Sequence, residues 1–79
     1  MISSSQIKAA RSLLGWSMQN LSNKAGVSLI TIKRYEASGG IPEGKVAQLM
    51  KIKSALETAG IEFLGDPISN PGVQLKPEG

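Results

Sequence analysis

The sequence predicts a mainly α domain of about four helices with a small C-terminal β-hairpin. Three observations carry this. Up to Gly60 the apolar residues recur at spacings of three and four, the helical period, in stretches punctuated by Ser caps and Gly stops. Beyond Gly60 the period falls to two, and turn residues separate the two alternating stretches. The chain has 79 residues, 41% hydrophobic and 19% charged, a globular composition. A chain of this size has one modest core and buries about 60–65% of its unfolded surface.

The elements follow in order. Ser3 or Ser4 caps a first helix running to about Leu14, with Ile7, Ala10, Leu13 and Leu14 as its apolar stripe and Gly15 as its stop. Ser17 opens a second helix, with Asn20 standing in for the acid of a capping box. Leu21 and Ala25 lie one turn apart on its inner side, and Gly26 ends it in the left-handed conformation that only Gly adopts cheaply. Only Val27 separates that stop from Ser28, the next cap. The third helix runs to about Ala37, with Ile32 and Tyr35 facing inward and Ile30, Lys33, Arg34 and Ala37 on the opposite side.

Ser38-Gly39-Gly40-Ile41-Pro42 is a loop by its breakers. A fourth helix is expected from about Glu43 to Ala59, with Val46, Leu49, Ile52, Leu56 and Ala59 facing the core and Gly60 as its cap. Ile61-Glu62-Phe63-Leu64 and Val73-Gln74-Leu75-Lys76 then alternate in two, separated by turn chemistry, which predicts a hairpin with a long loop. An isolated hairpin is marginal in water, so this one must pack on the helices or pair with an equivalent edge of another subunit.

Composition narrows the function classes. With no Cys and no His, the chain has no disulfides, thiol nucleophile, zinc-finger ligands or usual proton shuttle. Its Ser, Lys and carboxylate residues form no recognisable triad or phosphate loop, so neither an enzyme nor a cofactor or metal is expected. The apolar runs are too short for a membrane span, and Met1-Ile2-Ser3-Ser4-Ser5 lacks a signal-peptide pattern; a cytoplasmic location is the expectation. The net charge of +3 is unevenly distributed. Residues 1–53 carry eight basic side chains against two acidic ones, a balance of +6, whereas residues 54–79 carry one against four, −3. Solvated helix faces and a polyanion-binding front both fit this split.

From Gln19 to Ile32 and beyond, two short helices meet at a tight Gly turn inside the basic half, an arrangement that resembles a helix-turn-helix. Ser22 is the small residue at the helix crossing, Gly26 makes the turn, and Val27, Ile32 and Tyr35 anchor the core. An ordinary helical hairpin would also use Ser22 and Gly26, but the matches extend further. Gln6-Ile7-Lys8-Ala9-Ala10-Arg11, Gly15-Trp16-Ser17, Leu21-Ser22, Ala25-Gly26-Val27-Ser28, Thr31-Ile32, Arg34-Tyr35-Glu36 and Pro42 stand in the order of the phage-repressor/Cro (XRE-like) class of helix-turn-helix regulators, which residues 6–59 closely resemble. The tail, with Ala55-Leu56-Glu57-Thr58-Ala59-Gly60-Ile61-Glu62-Phe63 and Pro71-Gly72-Val73-Gln74-Leu75, is similar to a small bacterial subfamily ending in a short sheet. The resemblance implies a lambda-repressor-like fold. Residues 1–60 would form the DNA-binding domain, and residues 61–79 a hairpin extension of the same globular unit.

The resemblance also implies roles. Arg11 and Glu36 match a structural ion pair linking the first helix to the end of the recognition helix. Leu29, Ile30, Lys33 and Arg34 match positions that read base edges or flank them. Arg34 is the strongest base-contact candidate, since a guanidinium donates two bonds to guanine O6 and N7, worth about 1–3 kcal/mol of discrimination. Lys33 is open to guanine or to phosphate. Ile30 is open to a thymine methyl or to a protein partner. Ser28 caps the recognition helix and offers its hydroxyl and neighbouring amides to phosphate, with Ser17, Gln19, Asn20, Lys24 and Thr31 completing the phosphate-contact set.

The family's usual polar residue at the start of the second helix is here Met18, which leaves phosphate contact to Gln19 or Asn20. Leu29 and Ile30 are less polar than the family's usual readers. Trp16, Tyr35 and Phe63 read as core rather than base-stacking groups. The implied function is a DNA-binding transcriptional regulator, a repressor, with double-stranded DNA and a second copy of the chain as partners. Its acidic hairpin would lie in the dimer interface, and no membrane or small-molecule partner is indicated. A protein-interaction module of the same fold, antitoxin-like or coactivator-like, is the alternative, with Leu29, Ile30 and the hairpin edge as protein contacts.

Overall fold

Local capping chemistry sets the helix boundaries. The computed structural model describes residues 2–41, 44 and 46–76, in the order α1 (Ser4–Leu14), α2 (Met18–Ala25), α3 (Leu29–Ala37), α4 (Val46–Thr58), β1 (Ile61–Leu64) and β2 (Gly72–Leu75). Ser3 and Gln6 form a capping box on α1: Gln6 N donates to Ser3 Oγ at 3.3 Å, and Ser3 N to Gln6 Oε1 at 2.9 Å. Ser17 and Asn20 form the same box on α2, both arms at 3.0 Å. The short Asn side chain does the work of the expected acid because it reaches back only to its own cap. Ser28 accepts from Thr31 N at the start of α3. Gly15 and Gly26, each at φ 69°, end α1 and α2 in the left-handed region.

One core joins the elements: Ile2, Ile7, Ala10, Leu21, Val27, Ile32, Tyr35, Leu49, Ile52, Leu56 and Ile61. Ile2 stands just before the cap of α1 and Ile7 four residues after the cap; both are buried, as a hydrophobic staple requires. Two expected core residues are exposed. Leu13 is 47% accessible, because Ile7, Ala10 and Leu14 already make the inner stripe of α1 and Leu13 falls on its flank. Val46 is 58% accessible, at the first residue of α4, where the cover over Leu49, Ile52 and Leu56 does not reach. The expected start of this helix near Glu43, with Pro42, lies outside the described residues. Its end comes at Thr58, one residue early, and Ala59 and Gly60 turn the chain into β1.

The strands pair antiparallel, Ile61 with Leu75, Glu62 with Gln74, Phe63 with Val73 and Leu64 with Gly72. β2 therefore begins one residue earlier than the alternation suggests. Between the strands, Asp66 Oδ1 accepts from the amides of Ile68 and Ser69, both at 2.8 Å, and closes the loop like a helix cap. The hairpin packs on the helices. Ile61 is buried, Phe63 and Val73 lie against the core, and Gln6 Nε2 donates to the carbonyls of Leu64 at 3.3 Å and Gly72 at 3.1 Å. Among the described residues, no helix is long and apolar enough to cross a membrane.

Candidate nucleic-acid interface

The α2–α3 turn is built on Ser22. Its carbonyl accepts from Gly26 N at 3.0 Å and Val27 N at 3.3 Å, while its hydroxyl donates back to the Val27 carbonyl. The small side chain allows close approach, and the hydroxyl closes the turn from the other side. A Cβ on Gly26 would meet nothing within 4 Å, so Gly is required there for its positive φ alone.

This turn delivers α3 with two distinct sides. Ile32, Tyr35 and Glu36 are buried. Lys33, Arg34 and Ala37 are exposed, Leu29 and Thr31 are half-buried, and Ile30 is 76% accessible. The four expected base readers thus share the stretch of α3 that is not packed inward. The Arg34 guanidinium lies 5.9 Å from the centroid of the Tyr35 ring, a cation–π contact between an exposed side chain and a buried anchor.

Arg11 and Glu36 meet as a two-pronged pair. Arg11 Nε donates to Glu36 Oε2 at 2.8 Å and Nη2 to Oε1 at 2.9 Å, while Nη1 donates to the Trp16 carbonyl at 2.9 Å. The bond to Glu36 raises the guanidinium pKa further above its ordinary value, against the opposing effect of burial. The Glu36 side chain is 2% accessible, so its charge depends on Arg11 for compensation. Ser4 adds a further tie between α1 and α3, its hydroxyl donating to the Tyr35 carbonyl at 2.6 Å. Sequence reasoning missed that bond, the Gln6 tie to the hairpin and the Ser22 hydroxyl. Nothing in the sequence marks the first, because Ser4 and Tyr35 are 31 residues apart.

The expected phosphate contacts fall into three places. Ser28 and Thr31, their hydroxyls 2.9 Å apart, stand at the start of α3. Ser17, Gln19 and Asn20 stand exposed at the start of α2. Lys24 is at the opposite end of α2, where it lines a groove with Trp16, Ala25, Lys51, Ser54 and Ala55 and with no residue of α3. No protein-family model matches the chain, and no curated protein matches it.

Proposed function

We propose that the protein is a sequence-specific DNA-binding transcriptional repressor of lambda-repressor-like fold that places α3 in the major groove. The observation supporting this best is the two-sided α3: Ile32, Tyr35 and Glu36 hold it from within, while Ile30, Lys33 and Arg34 are left to solvent. A major groove admits one helix and offers what this face lacks. Guanine O6 and N7 accept from Arg34, and a thymine methyl covers Ile30. Lys33 takes a guanine edge or a phosphate. The first-turn amides of α2 and α3, with Ser17, Gln19, Asn20, Ser28 and Thr31, meet the flanking phosphates. Lys24, at the far end of α2, is left out of this set.

One helix reads only a few base pairs, so two copies bind a pseudo-palindrome as a twofold dimer. The surface offered for the second copy includes Leu13 and Leu75, both nearly half exposed, which line one groove with Leu14 and Ala59. The hairpin's acidic residues then lie away from DNA.

Anisotropy titration of fluorescent duplexes at several salt concentrations tests this reading. The logarithm of affinity falls linearly with the logarithm of salt, with a slope of about −0.9 per phosphate neutralised. The exposure of Ile30 favours a protein-interaction module as the second reading. In that case duplex DNA shows no affinity even at low salt, and the first reading is wrong.

A further inference from the structure

A second surface stands apart from α3. Between the end of α2 and the second half of α4 lies an open groove of about 500 Å³, lined by Trp16, Lys24, Ala25, Lys51, Ser54 and Ala55, with Thr58 and Ala59 at its end. That volume falls within the ~300–1,000 Å³ range of small-molecule sites. Three alanines supply the space, and the half-buried Trp16 supplies an aromatic wall. Ser54 and Thr58 offer hydroxyls. The two lysines give the groove its charge: no carboxylate is among its described lining residues, and neither lysine is in an ion pair among the described residues. Glu57, the nearest acid along α4, is engaged by Lys53 at 3.3 Å.

An aromatic wall with two unneutralised ammonium groups suits a flat apolar body carrying a negative charge. We propose that this groove binds small aromatic carboxylates, with the ring system against Trp16 and the alanines and the carboxylate between Lys24 and Lys51. The Trp16 backbone is held in place by Arg11, whose Nη1 donates to its carbonyl at 2.9 Å. The site is independent of what α3 binds and is tested on the protein alone.

Trp16 is the single tryptophan, so one indole N–H signal in a ¹H–¹⁵N spectrum reports on the groove. The probes are 2-naphthoate and its uncharged counterpart, 2-naphthamide. Naphthoate is expected to shift the Trp16 indole and the amides of Ala25, Ser54 and Ala55 saturably, in about the millimolar range for a probe of this size. The Lys24→Gln, Lys51→Gln double variant, altered only at exposed positions, weakens naphthoate about tenfold and leaves naphthamide unchanged. Ala55→Leu fills the groove and abolishes both, provided that circular dichroism shows it folded. The proposal is overturned if acid and amide bind the wild type equally or if the lysine variant binds naphthoate as the wild type does. It is also overturned if the shifts gather at Leu13 and Leu75, or if the indole signal does not move.

Discussion

Arg11 and Glu36 show how one contact secures the end of a helix. Two parallel bonds fix the last turn of α3 to α1, and a third holds the chain at Trp16. Arg11→Ala leaves the Glu36 carboxylate buried without its cation, a loss expected at about 3 kcal/mol in denaturant unfolding. An unchanged unfolding midpoint would contradict the structural role. Under the proposed function, Arg34→Ala is expected to cost about 1–3 kcal/mol of DNA affinity concentrated at one base pair, measured on a panel of single-base variants of the selected site. Equal loss on every sequence reassigns Arg34 to phosphate. At this scale the sequence was unevenly legible. The Arg11–Glu36 pair was visible only through a family resemblance, since 25 residues separate the partners. The Ser22 hydroxyl was not legible at all, because a serine at a small-residue site is explained by size before its oxygen is considered.

At the scale of elements, the caps and turns could be read because their chemistry spans three or four residues. Ser17 and Ser28 cap, and Gly15 and Gly26 stop, where the one-dimensional pattern places them, and of the two serines it offers for α1 the cap is Ser3. Leu13 and Val46 were misjudged for the opposite reason. Helical period marks a face, but which neighbour covers it depends on packing that no local rule contains. Gly26→Ala tests the turn: with space for a methyl but φ at 69°, it costs about 1–2 kcal/mol from backbone strain alone. No loss in thermal unfolding would mean that the turn relaxes.

Asp66 tests the hairpin loop. Two backbone bonds, from Ser69 and Ile68, lower its pKa below the usual carboxylate value. A depressed folded pKa stabilises above the unfolded pKa and loses that stabilisation as pH falls through the folded one. The amides of Ile68 and Ser69 should therefore titrate together with Asp66, at a midpoint below that of an unperturbed aspartate. An ordinary midpoint would show that the loop bonds do not persist.

At the scale of the whole molecule, the charge split makes sense only beside the fold. The basic excess of residues 1–53 includes Lys33 and Arg34 on the free side of α3, and the acidic excess of residues 54–79 includes Glu62 and Asp66 in the hairpin. Where the hairpin docks was not legible. The Gln6 bonds to Leu64 and Gly72 span 58 and 66 residues, and nothing in the alternation of the strands names α1 as their support. Under the proposed function the molecule works as a dimer. Sedimentation should show dimers on DNA, and Leu75→Glu should weaken them while leaving the monomer folded. Monomers at micromolar concentration, both free and on DNA, would contradict the dimer.

Selection of bound duplexes from a random library tests whether α3 reads sequence in double-stranded DNA, as the proposed function requires. The expected result is an enriched inverted repeat with half-site centres about 10 bp apart, or a multiple of that, one position of which loses its preference in Arg34→Ala. Enrichment without a motif, or no enrichment at all, would contradict it.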